Sequence, residues 1–227
     1  MKRGFMALAI VTALLLSFAL YQALVVAPTE RTMGDVQRIF YYHVPSAWTA
    51  FLLFLINFFA SVIYLIRRNN KADILALTSA EVGVVFCTVV LVTGPIWARP
   101  VWGIWWTWDM RLTLTLVLWL IYVSYLVLRR FSTSSQTPML AAVLAVFGAI
   151  DVPLVYFSIW FFRTQHPSPV IGGGGSLDPR MACVLLINWA AFLCLAWLVC
   201  WTRYQLEAAK REVEEQQALE SLSEGSR

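Results

Sequence analysis

The stretch VWGIWWTWDMRLT, from Val101 to Thr113, lies between two long apolar runs and has the most unusual composition in the chain. It contains four tryptophans within seven residues, with Pro100 before them and Gly103 between them. This spacing does not follow the single stripe of a buried helix, and it predicts an exposed loop with a flat aromatic surface. Clusters of indole rings either anchor a chain at a lipid interface or bind a planar aromatic ligand. The four residues are Trp102, Trp105, Trp106 and Trp108.

The overall composition places this loop in an integral membrane protein. Hydrophobic residues make up 60% of the chain and charged residues 13%, which leaves too little polar surface for a water-soluble domain. The formal net charge of +4 is modest, and in such a chain lysine and arginine set the orientation in the bilayer. We therefore expect membrane lipid around the chain and no nucleic-acid partner.

The apolar runs predict an all-α integral membrane protein with six transmembrane helices. Each run has roughly 20 residues, the length that crosses a hydrocarbon core of about 30 Å. We expect a membrane domain over residues 1–203, with the tryptophan-rich loop at 98–113, and a charged C-terminal tail over 204–227. The predicted spans are Phe5–Ala27, Pro45–Ile66, Leu75–Trp97, Leu112–Leu128, Met139–Phe162 and Pro179–Trp201.

The basic residues between the spans predict that the N- and C-termini are both cytoplasmic. With six alternating crossings, every lysine falls at the same side of the membrane, which the positive-inside rule assigns to the cytoplasm. The tryptophan-rich loop then faces the outside. The basic residues on the cytoplasmic side are Lys2, Arg3, Arg67, Arg68, Lys71, Arg129, Arg130, Arg203 and Lys210.

The chain has two histidines, and both are predicted to lie at the outer edge of the membrane. His43 precedes the second span in FYYHVPSAW, and His166 follows the fifth in FRTQHPSP. A proline close to each indicates that both lie where a helix begins or ends. Two imidazoles beside an aromatic surface are the arrangement that holds a planar metal macrocycle, because haem iron takes axial histidine ligands and tryptophan faces can cover the porphyrin.

Charged residues within and beside the tryptophan-rich loop are candidates for contacts to the ligand. The guanidinium groups of Arg111 and Arg99 are possible partners for the propionates of haem, because an arginine can bind a carboxylate through two hydrogen bonds. For Asp109 we expect a salt bridge to Arg111 or a contact with a partner protein. The alternative, in which Asp109 and Arg111 only cap the loop, stays open.

The segments WGIWWTWDMRLT and FYYHVPSAW, with the later loop around His166, resemble the haem-handling family whose members carry a tryptophan-rich "WWD" domain. The similarity is closest to the cytochrome c maturation protein C (CcmC) branch, in which a short chain has one histidine before the second span and one after the fifth. The resemblance covers essentially the whole chain. It departs from the family at Met110 and in a run of four glycines, Gly172–Gly175, which we expect to be a flexible connector.

This resemblance implies a protein of cytochrome c biogenesis in the bacterial inner membrane. By analogy, haem b is held at the outer, periplasmic face by the axial ligands His43 and His166, above a surface formed by the four tryptophans and Asp109. It is then passed to the periplasmic haem chaperone CcmE. The ATP-binding cassette subunits CcmA and CcmB and the small membrane protein CcmD are the further partners that the family implies. Such a chain is a binding protein, with attachment of haem to the chaperone as the one chemical step that it could assist.

Two acidic residues inside the predicted spans leave a second hypothesis open. Glu81 in the third span and Asp151 in the fifth are costly in a membrane and are therefore candidates for function. They favour a transporter or channel subunit as the alternative. For Glu81 we prefer the simpler interpretation, in which the side chain extends to the nearby cytoplasmic surface.

Overall fold

The computed structural model describes residues 2–167 and 177–224, and within these ranges the fold is all α-helical. Six segments are long and apolar enough to cross a membrane, which confirms the six predicted spans. The glycine run at 172–175 lies outside the described residues. The elements are α1 (Lys2–Tyr21) followed by a π-helical turn (Gln22–Val26), a 3₁₀ turn (Asp35–Ile39), α2 (Phe40–Arg67), α3 (Asn70–Trp102), α4 (Met110–Phe131), α5 (Thr137–Ala149), α6 (Asp151–Phe161) and α7 (Pro179–Glu224).

Polar residues at the helix ends explain why α3 and α4 begin where they do. The side chain of Asn69 accepts hydrogen bonds from the backbone N–H groups of Lys71 and Ala72, and so caps the start of α3. Asp109 caps α4 in the same way, by accepting from the N–H of Leu112. At its other end α3 stops at Gly103, which adopts a positive φ of 77°. Glycine tolerates this conformation and commonly ends helices.

The helical pair formed by α2 and α3 lies at the centre of the bundle. The Phe54 ring of α2 stacks on the Tyr122 ring of α4, with centroids 3.8 Å apart and planes 12° from parallel. Gly83 of α3 lies against the same phenyl ring, and a Cβ added to it would be 2.7 Å from Phe54 Cε1. The absence of a side chain at Gly83 is therefore what lets α2 and α3 approach this closely.

The structure corrects one predicted span boundary and shows a break inside another span. α2 begins at Phe40 rather than Pro45, so Pro45 lies inside the helix. The fifth span is two helices, because α5 ends at Ala149 and α6 starts at Asp151. Pro153 accounts for this break, since it has no N–H to donate to the carbonyl of Ala149 and its ring disfavours a continuous helix.

Ion pairs join three helices at the end of the bundle opposite the tryptophan-rich loop. The side chain of Asp73 in α3 is only 3% exposed, and it pairs with Arg129 of α4 and Arg211 of α7. The distance from Arg211 Nη2 to Asp73 Oδ2 is 2.8 Å. Glu81 also pairs with α7, through Arg203 at 2.7 Å. The side chain of Glu81 is 28% exposed, so its expected extension to the nearby surface stays a prediction, and Arg203 is a partner that the sequence did not indicate.

The last helix is much longer than a membrane requires. α7 has 46 residues, and the expected boundary between membrane domain and tail at 203/204 falls inside it. The segment after the last span is thus a helical extension, and the side chain of its Arg211 donates a hydrogen bond to the carboxylate of Asp73.

Candidate ligand-binding cavity

A cavity of about 450 Å³ lies at the end of the bundle where α3 ends and α4 begins. Its volume is in the range of pockets that hold small molecules and cofactors. The cavity brings together both histidines and part of the tryptophan-rich loop, which the chain contributes from separate segments. Among the residues in its wall are His43, Trp102, Trp106, Arg111 and His166.

His43 is held by the neighbouring helix in one orientation. It lies in the first turn of α2, as expected for a residue at the start of a helix, but it is inside the helix rather than before it and is only 8% exposed. Its Nδ1 is 2.9 Å from the hydroxyl of Thr93, and that hydroxyl donates to the carbonyl of Val89 at 2.6 Å. Because a hydroxyl has one hydrogen to give, it accepts from Nδ1–H. The lone pair of Nε2 remains available for a ligand.

His166 is held by the loop that contains it. Its Nδ1 lies 2.9 Å from the carbonyl oxygen of Pro167, which can only accept, so Nδ1 is the protonated nitrogen and Nε2 again has the free lone pair. Burial and the positive charge of Arg111 lower the pKa of His166 to about 4. The ring is therefore neutral at pH 7, as a metal ligand must be.

Arg111 and Arg99, the two predicted propionate partners, lie in different surroundings. Arg111 lies in the first turn of α4, and its buried Nη1 has no hydrogen-bond partner in the described part of the chain. A buried charged donor left unpaired is costly, so this nitrogen is free to bind an anionic group that enters the cavity. Arg99 is exposed, and its guanidinium donates to the carbonyl of Gly103 at the end of α3. Only Arg111 is among the residues that line the described cavity wall.

Asp109 links the tryptophan-rich loop to the loop of His166. No ion pair joins it to Arg111 among the described residues, so of the two expectations only the contact with a partner protein stays a prediction. Besides capping α4, its carboxylate accepts from the hydroxyl of Thr107 at 3.1 Å and from the backbone N–H of Gln165 at 3.4 Å. The residue after Gln165 is His166, so Asp109 helps to hold the second histidine beside the cavity.

The four tryptophans divide into two pairs, and they do not form one flat surface. Trp102 and Trp106 line the cavity, whereas Trp105 and Trp108 are 58% and 75% exposed. The rings of Trp106 and Trp108 are 77° apart, an edge-to-face contact. The loop is also shorter than predicted, because Trp102 ends α3 and Met110 starts α4. The non-helical part is therefore residues 103–109.

Several cavity residues were missed by the sequence analysis. Trp97 of α3 contacts the edge of the His43 ring at 5.8 Å between centroids, and Trp48 of α2 lines the same cavity. Both occur within apolar runs, where their spacing is typical of span-anchoring tryptophans. Cys87 also lies in the wall. The one available signal was the segment GPIWARP, which places Trp97 close to the tryptophan-rich loop.

The two acidic residues of the alternative hypothesis are not among those that line the described cavity wall. Glu81 is neutralised by Arg203. Asp151 is buried at the break between α5 and α6, and its Oδ2 has no hydrogen-bond partner in the ranges 2–167 and 177–224.

Comparison with known proteins gives consistent matches over nearly the full length. A family model described as heme exporter protein C matches residues 1–219. Heme exporter protein C of Bradyrhizobium diazoefficiens is 35% identical, over 94% of this chain and 82% of its own. The Escherichia coli K12 protein of the same name is 32% identical, over 75% and 69%. A ccmC-like mitochondrial protein of cytochrome c biosynthesis from Marchantia polymorpha is 33% identical, over 80% and 78%.

Proposed function

This chain belongs to the heme exporter protein C family of cytochrome c biogenesis, and we propose that it binds haem b in the cavity and delivers it to the periplasmic chaperone CcmE. It is an integral protein of the inner membrane. In this proposal haem is the cargo, His43 and His166 are its axial ligands, and the cavity faces the periplasm. We keep the division into a membrane domain over residues 1–203 and a charged C-terminal tail over 204–227 as part of this proposal.

The observation that carries this proposal is that two imidazoles from distant parts of the chain reach the same cavity. In each ring Nδ1–H is donated to the protein, which leaves both Nε2 atoms as metal ligands. A metal-bound histidine typically makes this kind of second hydrogen bond. The apolar and indole surfaces around the rings suit the porphyrin, and iron bound there would be six-coordinate.

The outward orientation of the cavity rests on the distribution of lysine. All three lysines of the chain are at the ends of spans remote from the tryptophan-rich loop. The positive-inside rule therefore assigns those ends to the cytoplasm and the cavity to the periplasm.

Arg111 is expected to bind a haem propionate, and the variant Arg111→Gln tests this. A hydrogen bond to a charged group contributes about 1.5–3 kcal/mol, so haem affinity should fall by about 10- to 100-fold. Arg99→Gln is the matched control, since it removes the same charge outside the cavity and should change affinity little. Affinity is measured by titrating haem into apo-protein and following the Soret band. Equal affinities for the two variants would contradict the assignment.

Trp105 and Trp108 are expected to form the contact with CcmE, because they are exposed and belong to the same loop as Trp106, which lines the cavity. Replacing both with alanine should leave haem affinity unchanged and slow haem transfer to CcmE. Loss of an exposed aromatic hot spot of about 2 kcal/mol corresponds to a roughly 30-fold effect.

The transfer experiment uses haem-loaded protein mixed with purified CcmE, with Trp197→Ala as the control for an exposed tryptophan elsewhere. Transfer at the wild-type rate in the double variant would contradict the docking role. Failure of the wild-type protein to transfer haem at all would contradict delivery itself.

We further propose that CcmA, CcmB and CcmD act with this chain. The sequence has no phosphate-binding glycine loop, so ATP-driven work requires separate subunits. The transporter alternative loses support, since Glu81 has a structural partner in Arg203.

A further inference from the structure

We infer that Thr93 is a positioning residue whose hydroxyl selects the Nδ1–H form of His43 and so presents Nε2 to the cavity. This inference rests on the proposed function, in which His43 is an axial ligand, and adds the side chain that prepares it. Thr93 itself touches neither the iron nor the porphyrin in this assignment.

The argument begins with the hydrogen-bond inventory of the two side chains. The Thr93 hydroxyl lies 2.6 Å from the carbonyl of Val89, one helical turn earlier, and a carbonyl can only accept. Its single hydrogen is therefore used. The contact of 2.9 Å with His43 is then a hydrogen bond donated by Nδ1–H. The opposite ring form, with hydrogen on Nε2, would put two acceptors against each other.

Packing holds the ring in the same place as this hydrogen bond. Three residues on one face of α3, namely Thr93, Gly94 and Trp97, surround the imidazole, and we call them the His43 socket. Trp97 meets the ring edge-on, with planes 73° apart. A Cβ on Gly94 would lie 3.5 Å from Cε1, so the α3 backbone is already close to the ring. Rotation of the imidazole is restricted by these neighbours.

The second histidine provides an internal reference. Nδ1–H of His166 is donated to the backbone carbonyl of Pro167, so no side chain can be removed to release it. The hydrogen bond of His43 depends on one hydroxyl. A substitution at Thr93 should therefore alter one histidine of the chain and leave the other unchanged.

In the proposed function, the hydrogen bond to Thr93 sets the strength and the direction of the bond between His43 Nε2 and the haem iron. When a ligating histidine donates its far ring N–H to an acceptor, that hydrogen bond fixes the ring form and makes the ring a better electron donor to the metal. Losing such an acceptor typically weakens metal binding by about 10- to 100-fold. We expect Thr93→Val, which keeps the branched shape, to weaken haem binding by this factor. Thr93→Ser keeps the hydroxyl and should restore it.

The decisive experiment reads the ring form without haem. Apo-protein is labelled with ¹⁵N-histidine and purified by a histidine-free tag, so that only the two native rings contribute to the nitrogen spectrum. The wild-type protein and Thr93→Ser should show His43 protonated at Nδ1 alone. Thr93→Val should show a mixture with the Nε2–H form, while the signals of His166 stay unchanged. Thr202→Val is the control, since its hydroxyl also bonds one turn back, to Leu198, far from either histidine.

Haem affinity and the reduction potential of the bound iron are the second readout. A wild-type apo-protein in which His43 carries hydrogen on Nε2 would overturn the inference, even where Thr93→Val fails to fold. So would Thr93→Val with the wild-type ring form. If the ring form responds as expected but no variant, wild type included, binds haem, the positioning role stands and the proposed function fails.

Discussion

Replacing His43 with alanine should abolish the six-coordinate haem spectrum of the purified protein. His43 is the proposed axial ligand, and its ring is buried in α2 and hydrogen-bonded to Thr93. Loss of an outer-shell partner alone weakens metal binding by about 10- to 100-fold, so loss of the ligand itself should exceed that range. The measurement is the haem content after purification, together with the position and width of the Soret band.

Two further variants make this result specific. His166→Ala should also remove the six-coordinate spectrum, because its ring is the only other imidazole in the chain. His43→Gly leaves a space in which free imidazole can bind, and added imidazole should restore the spectrum in part. Wild-type haem content in both alanine variants would show that the ligand assignment is wrong. Rescue of His43→Gly excludes a folding defect as the cause.

Asp73→Asn should be the most destabilising conservative substitution at the end of the bundle opposite the tryptophan-rich loop. The carboxylate of Asp73 pairs with Arg129 and Arg211, and the side chains of Asp73 and Arg129 are 3% and 8% exposed. Asparagine has nearly the same volume, so packing is retained while the negative charge is lost. Arg129 is then a buried cation without its partner, which costs about 3–5 kcal/mol.

The free energy of unfolding in mixed micelles measures this effect. Glu214→Gln is the matched control, because its pair with Lys210 is 60% and 59% exposed and such surface pairs contribute about 0–1 kcal/mol. A change of less than about 1 kcal/mol in Asp73→Asn would mean that the buried pairs do not join the helices.

Much of the fold could be predicted because the membrane imposes it. Backbone groups in lipid must be paired within the chain, so each long apolar run has to be helical. The helix ends were harder to predict, since Pro45 normally marks a start. A 3₁₀ turn over Asp35–Ile39 precedes α2, and the helix continues through this proline. Pro153 lacks the same backbone N–H as Pro45, yet here the helix is interrupted, with a break at Ile150.

For the candidate cavity, residue type and predicted membrane side selected both histidines that line it but did not separate Arg111 from Arg99. Arg99 and Arg111 flank the same loop, and their charges and sequence context are similar. What separates them is the direction in which each side chain leaves its helix: one turns back to the end of α3 and the other lies in the cavity wall. Side-chain direction also separates the tryptophans that line the cavity from the two that are exposed. Thr93 could not be selected from the sequence either, because its proposed role depends on a hydrogen bond between α3 and His43 of α2, fifty residues earlier in the chain.

α7 runs without a break from the wall of the cavity to the opposite end of the bundle. Met181, in its first turn, lines the cavity, and Arg211 pairs with Asp73 at the far end. After Pro179 this helix contains no proline or glycine, the residues at which sharp kinks arise. The 22 residues from Arg203 to Glu224 extend about 33 Å, at 1.5 Å per residue. Because Met181 and Arg211 belong to one continuous helix, a tilt of the segment after the last span would also displace Met181 in the cavity wall.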